Sequence, residues 1–408
     1  MHNLNELISQ IKGSPTLALN EKAKQLRLAG ADVINLGIGE PLNDCPESVL
    51  EYTRKKLETR QLKYGPVGGI HSLKSAILEY TRNHYGISPE LNNITVTVGA
   101  KQALFNLLSV LTNLDDEIIL FSPYWVSYPE MIKLTRGKIV LVDTNDKFLP
   151  DMDQLKAAVT EKTKAIILNS PNNPTGAVYP PELVAAMVDF CESNKIYLIM
   201  DDIYHQLVFK PAQWVPGFVF TSKPLDKSHL IIINGISKTY GMTGFRIGWA
   251  IAAKPLITAM EKIQSHSTSG VSTLLQEAAL GALLDGESVV QELKVFIKTN
   301  RDILIRELKT IPGLKIADPQ GTFYCFPDIS NIHPDSQELA ALLLEKAFVA
   351  TVPGIAFGKE GFLRISYTCS LDQINESAAR IRWVFDSTSP AEIIINGEKH
   401  HRDWELKI

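Results

Sequence analysis

No apolar run in this sequence of 408 residues reaches the roughly 20 residues that a helix needs to cross a bilayer. The opening stretch, Met1-His2-Asn3-Leu4-Asn5-Glu6, lacks the basic-then-apolar order of a secretory signal. Cysteine is scarce. Cys45, Cys191, Cys325 and Cys369 lie far apart and form no CxxC pair. A disulfide framework and a zinc site are therefore not expected, and reduced thiols suit a cytoplasmic location. Neither sign of charge dominates. The 41 Lys and Arg against 45 Asp and Glu leave a net charge of −4, which offers no footprint for nucleic acid and no charged tail. Repeats and low-complexity segments are also missing. What is left is a chain of ordinary composition, long enough for two domains with large cores.

The middle of the chain alternates short apolar runs with helix-like stretches. Ile94-Thr95-Val96-Thr97-Val98 leads into Gly99-Ala100-Lys101-Gln102-Ala103-Leu104, which has a helical pattern. Further runs follow at Glu117–Phe121, Ala165–Asn169, Ile196–Met200 and Leu230–Ile233, with a helix expected near 181–194. Continuous rather than alternating apolar runs suit strands covered on both faces. The expected fold class is therefore α/β: a large domain with a mostly parallel sheet flanked by helices. A long helical stretch at 286–311 then bridges to residues 314–386, which read as a smaller α+β domain. The expected division is an arm with part of the small domain at 1–45, a large domain at 46–285, and the bridging helix with the small domain at 286–386. Ser387-Thr388-Ser389-Pro390 breaks the last helix, so 387–408 is expected to be a peripheral extension.

Lys238 is the most informative residue. It follows the run ending at Ile233 and stands eight positions before Arg246. A lysine just past a buried strand loses hydration, its pKa falls, and some of it becomes a free amine. A solvated loop lysine is the plain alternative. Two other runs also end in polar residues. Ala165–Leu168 opens into Asn169-Ser170-Pro171-Asn172-Asn173-Pro174-Thr175-Gly176, and Tyr197–Met200 ends in Asp201-Asp202-Ile203-Tyr204. Parallel strands would bring Asn173, Asp201 and Lys238 to one edge, where open α/β sheets bind ligands.

These residue types suit pyridoxal 5'-phosphate (PLP). A buried carboxylate, Asp201, favours a protonated pyridine nitrogen. Asn173 and Tyr204 can donate to the ring oxygen. Gly99, Ala100 and Lys101 offer backbone N–H groups at a helix start, and Arg246 offers a cation for a phosphate. Trp125 can stack on a flat ring. Each has a bland counterpart: Trp125 and Tyr204 as core packing, Asp201 as a helix cap, the Asn-Pro-Thr-Gly segment as a turn. The GxxxxGK[ST] spacing of a nucleotide loop is missing.

From about Ser14 to about Phe385 the chain resembles the class I aminotransferases, PLP enzymes of fold type I. The likeness is carried by Leu36-Gly37-Ile38-Gly39-Glu40-Pro41, Lys63-Tyr64-Gly65-Pro66, Val98-Gly99-Ala100-Lys101-Gln102, Asn172-Asn173-Pro174-Thr175-Gly176, Asp201-Asp202-Ile203-Tyr204, Ser237-Lys238 through Phe245-Arg246, and Gly361-Phe362-Leu363-Arg364-Ile365-Ser366-Tyr367. The resemblance implies that Lys238 carries PLP through a Schiff base and moves the substrate's Cα proton. It implies that Asp201 pairs with the ring nitrogen, Asn173 and Tyr204 with the ring oxygen, and Arg246 with the phosphate. Trp125 would stack on the ring. Arg364 would grip the substrate α-carboxylate, with the Gly39 backbone on the same group. Tyr64 would reach the partner subunit's cofactor, which implies a homodimer.

Within the family the likeness is strongest to bacterial aspartate aminotransferases with a Ser-Pro-Thr segment, here Ser14-Pro15-Thr16. That implies aspartate as amino donor and a 2-oxo acid such as 2-oxoglutarate as acceptor, with Lys101 meeting the distal carboxylate. Prephenate or aromatic amino acids stay open as substrates, with Lys12 implicated for prephenate or simply solvated. A β-lyase on the same scaffold stays open too. A transcription regulator with an aminotransferase-like domain is disfavoured, because only a short arm precedes the match. The chain departs from many relatives in having Asp202 for glutamate, His205 for an acidic residue, and Gly235 where others carry a phosphate-binding serine.

Overall fold

The computed structural model describes residues 5–406. Seven strands form the main sheet: β1 (Ile94–Val98), β2 (Glu117–Ser122), β3 (Lys138–Asp143), β4 (Thr163–Asn169), β5 (Tyr197–Asp201), β6 (Leu230–Gly235) and β7 (Ile247–Ile251). Their order across the sheet is β1-β7-β6-β5-β4-β2-β3. Every neighbouring pair is parallel except those made by β7, which runs antiparallel to both β1 and β6. The mostly parallel α/β sheet expected from the sequence is therefore present.

The apolar runs make this sheet because both of its faces are buried. Ile119, Ile166 and Ile232 pack into the core on one face, while Ile118, Ile167 and Ile231 pack into the core on the other. Side chains alternate along a strand, so a strand between two cores needs an apolar residue at every position. Each fully buried isoleucine contributes about 1.5–3 kcal/mol. Strands β3 and β7 add to the runs expected from the sequence. β3 is the sheet's edge and only partly covered, with Leu141 exposed. β7 is interrupted by Gly248.

A consequence of the topology is that β1, β2, β4, β5 and β6 all end at the same edge, and the reversed β7 begins there. The helix α1 (Gly99–Leu111) starts directly after β1 at that edge. A Cβ on Gly248 would collide with the Ala100 backbone nitrogen, so glycine in β7 lets the first turn of α1 lie against it. The helix expected near 181–194 is α3 (Pro181–Asn194), preceded by α2 (Ser127–Leu134).

A separate core gathers α4 (Glu287–Leu308), α5 (Ser336–Lys346) and α6 (Leu371–Phe385) around Leu304, Leu308, Leu343, Ile374 and Ile381. The short strands Tyr324–Cys325, Val352–Pro353 and Leu363–Ser366 form an antiparallel sheet within it. The N-terminal segment joins this core: Ile34–Asn35 pairs in parallel with Val349–Ala350. Buried Arg380 of α6 ties the same segment down through Asp32, at 2.5 Å.

The tail is more ordered than a polar extension suggests. Glu392–Ile395 and Glu398–His401 form a hairpin, joined by Asn396 and Gly397 at φ 49° and 80°. An Asn-Gly pair with both residues at positive φ is a preferred two-residue hairpin turn, and that signal stood unused in the sequence.

Candidate active site

The strand ends bring Asn173, Asp201 and Lys238 to one edge, with Gly39 against the lysine. Asn169 and Asp201, the last residues of β4 and β5, are direct neighbours in register. Asn169 uses its side chain twice, donating to the Asp201 carbonyl at 2.9 Å and accepting from the Asn173 N–H at 2.9 Å. It thereby fixes the loop that carries Asn173. Lys238 follows β6 and donates from Nζ to the Gly39 carbonyl at 2.6 Å. The loop expected to contact substrate thus lies directly over the lysine.

Asp201 is buried, and burial raises its carboxyl to about 6. The rise is held in check by the Tyr128 hydroxyl, which donates to Oδ2 at 2.6 Å, by the Ile203 N–H, and by the Lys238 charge. Lys238 moves the other way. Burial lowers its amine to about 8; Glu40 opposes the shift, and Arg364, Arg246 and Lys101 add to it. The expected free amine therefore has a physical basis in desolvation and three nearby cations.

Arg364 is 2 % exposed. It donates to Asn173 Oδ1 at 3.1 Å and to the Gly37 carbonyl at 2.8 Å. Its guanidinium carbon lies 4.4 Å from the Tyr324 ring centroid and 5.0 Å from that of Phe357. Nε has no partner among the described residues, which leaves part of a bidentate donor set open for a carboxylate. Tyr204 is buried, and its hydroxyl meets the Tyr324 hydroxyl at 3.3 Å.

At the start of α1 the fit to a phosphate is physical. Gly99 adopts φ +75°, and a Cβ there would stand 2.7 Å from Arg246 Nη2. Glycine therefore lets the guanidinium close on the helix N-terminus. The first-turn N–H groups of α1 have no side-chain cap, so Gly99, Ala100 and Lys101 present free donors beside that cation. Lys101 Nζ lies 4.9 Å from the Trp125 ring centroid, and partial burial followed by the Arg246 charge lowers its pKa.

Two expected residues stand apart. Tyr64 is 97 % exposed. Lys12 is exposed, and its backbone N–H bonds to Glu130 of α2 at 3.0 Å. Three residues that shape the site were not read from the sequence: Asn169, Tyr128 and Tyr324. Asn169 stands in the sequence as the polar residue closing an apolar run, but without a role of its own. Tyr128 and Tyr324 carried no signal, because a buried tyrosine in a sequence is indistinguishable from core.

A lysine, a buried aspartate and a buried arginine gather around one strand edge, beside a helix N-terminus with its own cation, an arrangement whose chemistry suits a phosphate-bearing group and a carboxylate. The sequence profile of the family described as aminotransferase class I and II matches residues 31–381, and the chain belongs to this family. It is 40 % identical over 385 residues to the aspartate/prephenate aminotransferase of Thermus thermophilus, covering 93 % of this chain and 98 % of that protein. It is 38 % identical to the aspartate aminotransferase of Geobacillus stearothermophilus, with the same coverage of each. Among solved structures, the Thermus thermophilus aspartate aminotransferase with maleate superposes with a TM-score of 0.89 at 40 % identity, over 94 % of this chain and all of that one. The aspartate aminotransferase of Rhizobium meliloti gives a TM-score of 0.89 at 33 % identity, over 94 % and 98 %. The fold is accordingly that of the fold type I transferases, and the chain is an aminotransferase.

Proposed function

We propose that this enzyme uses PLP to move an amino group from an L-amino acid, aspartate foremost, to a 2-oxo acid such as 2-oxoglutarate in a ping-pong sequence. The observation that carries the reading is the convergence of Lys238, Asp201, Asn173 and Arg364 on one strand edge, with Gly99 and Arg246 forming a phosphate seat beside them.

In this reading Lys238 would hold PLP covalently through Nζ. Asp201 would face the ring nitrogen, Asn173 and Tyr204 the ring oxygen, and Trp125 the ring face. Gly99, Ala100, Lys101 and Arg246 would seat the phosphate. When bound, PLP supplies an electron sink for the pair left at the substrate's Cα. Arg364 orients the substrate by its α-carboxylate, with the Gly39 backbone closing over the same group. That orientation sets the Cα–H bond where Lys238 can take it, which is the entropic part of catalysis. Lys238 would take the proton from Cα and deliver it to the cofactor's carbon rather than back to Cα, a task suited by an amine lowered to about 8.

Lys101 supports an acidic donor, since burial and then the Arg246 charge lower its pKa, and a second carboxylate would stabilise that partly desolvated cation. The Thermus relative's name makes prephenate the second acceptor to test, with Lys12 the residue to vary. The 97 % exposure of Tyr64 fits a side chain that completes the site of a partner subunit in a homodimer. A cytoplasmic location follows from the same reading. We also keep the division into an arm with part of the small domain (1–45), a large domain (46–285), a bridging helix with the small domain (286–386) and an extension (387–408).

A panel of amino donors assayed with 2-oxoglutarate, oxaloacetate and prephenate tests the substrate assignment. Aspartate is expected to give the highest kcat/KM. Pyruvate released from a cysteine conjugate without any acceptor would replace transamination by β-elimination.

A further inference from the structure

Tyr324 belongs to the core that also takes in Tyr204 and Leu363, and has no part in the roles above. It is 1 % exposed. Its position beside Arg364 follows from strand register. Tyr324 pairs with Ser366 and Cys325 with Ile365 in the antiparallel sheet, so Arg364 is the diagonal cross-strand neighbour of Tyr324 on the same face. That places the guanidinium 4.4 Å from the ring centroid. The Tyr324 hydroxyl lies 3.3 Å from that of Tyr204, three residues past the end of β5. No other partner of the Tyr324 hydroxyl is found among the described residues. One side chain thus touches the carboxylate-gripping arginine with its ring and the ring-oxygen tyrosine with its hydroxyl.

We propose that Tyr324 is the positioning residue that couples carboxylate binding at Arg364 to the hydroxyl of Tyr204, and through it to the cofactor's ring oxygen. The inference rests on the PLP reading above and adds a route between its two halves.

The direction of the coupling follows from charge. Burial pushes both phenols up, and the Arg364 cation pulls both back. In the proposed reading the one Tyr204 hydrogen goes to the ring oxygen, so the Tyr204 oxygen accepts and Tyr324, which has no other partner among the described residues, is the donor of the pair. Donation into the Tyr204 oxygen leaves the Tyr204 hydrogen free for the ring oxygen and strengthens it as a donor, because hydrogen bonds in series polarise one another. A carboxylate paired with Arg364 neutralises the cation. Tyr324 then donates less, Tyr204 follows, and the ring oxygen becomes more basic.

The test uses the cofactor-loaded protein, wild type, Tyr324→Phe and Tyr324→Leu, with maleate as an unreactive dicarboxylate. Two quantities are read: the midpoint of the pH titration of cofactor absorbance with and without maleate, and the Kd of maleate. Tyr324→Phe keeps the ring and loses the hydroxyl. Its midpoint without maleate is expected to lie above that of wild type, its maleate-induced upward shift to be smaller, and its Kd to stay within about twofold. Tyr324→Leu also loses the stacked ring, and its Kd is expected to rise about tenfold or more. A Tyr324→Phe titration that coincides with wild type in both conditions overturns the coupling, and so does an unchanged Kd in Tyr324→Leu. Should the leucine variant not fold, the phenylalanine variant decides alone. Failure of the underlying reading looks different: the wild-type protein itself would show no cofactor absorbance, or none that responds to maleate.

Discussion

The Tyr128 hydroxyl donates a 2.6 Å hydrogen bond to Oδ2 of Asp201, and both side chains are buried. This bond favours the charged carboxylate against a burial that disfavours it. Removing the donor in Tyr128→Phe should lift the Asp201 carboxyl above its present value of about 6. A carboxyl that is neutral at working pH pairs poorly with a protonated ring nitrogen. We expect PLP affinity and kcat to fall roughly tenfold, the scale of one hydrogen bond to a charged group. An activity profile whose acidic limb moves to higher pH would accompany the loss; an unmoved limb would remove Tyr128 from this role.

Asp201 also makes a prediction about stability without cofactor. Its folded pKa is raised from 3.8 to about 6. The protonated form is the one that burial tolerates, so its contribution is fully present below pH 3.8 and is lost as pH rises through about 6. Cofactor-free Asp201→Asn should therefore melt above cofactor-free wild type at pH 8, and the gap should close towards pH 4. The magnitude is on the order of 2–3 kcal/mol at most. The same variant should lose nearly all turnover, a trade of function for stability. Differential scanning calorimetry at the two pH values checks it.

Lys238 predicts how the protein takes up its cofactor. With its amine lowered to about 8, about a tenth of it is free at pH 7 and most of it above pH 9. The rate of PLP capture by cofactor-free protein should rise with pH and level off above about 8, rather than climb towards the 10.5 of an ordinary lysine. Stopped-flow absorbance measures it. Lys238→Ala should lose the cofactor absorbance of the wild type and nearly all turnover, and normal turnover in that variant would sink the assignment.

Much of this was legible in the sequence because the physics behind it is local. Apolar runs such as Ala165–Leu168 declared strands buried on both faces, and the polar residues closing them marked the edge where Asn173, Asp201 and Lys238 meet. What stayed hidden depends on reversal and register. The antiparallel β7 is what delivers Arg246 to the same edge, and nothing in Ile247–Ile251 announces its direction. Tyr324 meets Arg364 only through cross-strand register between segments some forty residues apart. Tyr128 meets Asp201 through tertiary packing alone. Asn396-Gly397 announces the tail hairpin, but the polar residues of one flanking strand mask the strand pattern around it.

Arg364 should prove intolerant of a shorter cation. Its two nitrogens are held by Asn173 and Gly37, its plane lies against Tyr324, and Nε stays unpaired. Arg364→Lys keeps the charge and loses the planar fork. We expect KM for aspartate and Kd for maleate to rise by about 30-fold or more, corresponding to about 2 kcal/mol or more for a buried charged contact. Cofactor content should remain that of wild type, since the phosphate seat at Gly99 and Arg246 is untouched. Loss of cofactor together with substrate affinity would show that the arginine holds up the site as a whole.

The tail should act on stability and not on chemistry. Trp404 meets Trp383 of α6 edge-on, with ring centroids 4.9 Å apart. Lys346 of α5 reaches both the Asp403 carboxylate at 2.8 Å and the Trp404 ring at 5.7 Å. Arg402 donates to the Trp383 carbonyl at 2.9 Å. The tail therefore fastens α5 and α6 together, beyond residue 381 where the match to the family profile stops. Of these contacts the tryptophan pair carries the weight, because the ion pair is exposed and screened. Trp404→Ala should cost about 1–3 kcal/mol and lower the Tm by a few degrees, while Asp403→Asn leaves it nearly unchanged. Among the described residues no tail residue hydrogen-bonds to Lys238, Asp201 or Arg364, so kcat below the melting transition should be that of wild type in both variants. A fall in kcat for Trp404→Ala at a temperature where the protein is fully folded would mean that the tail governs how the small core moves over the site.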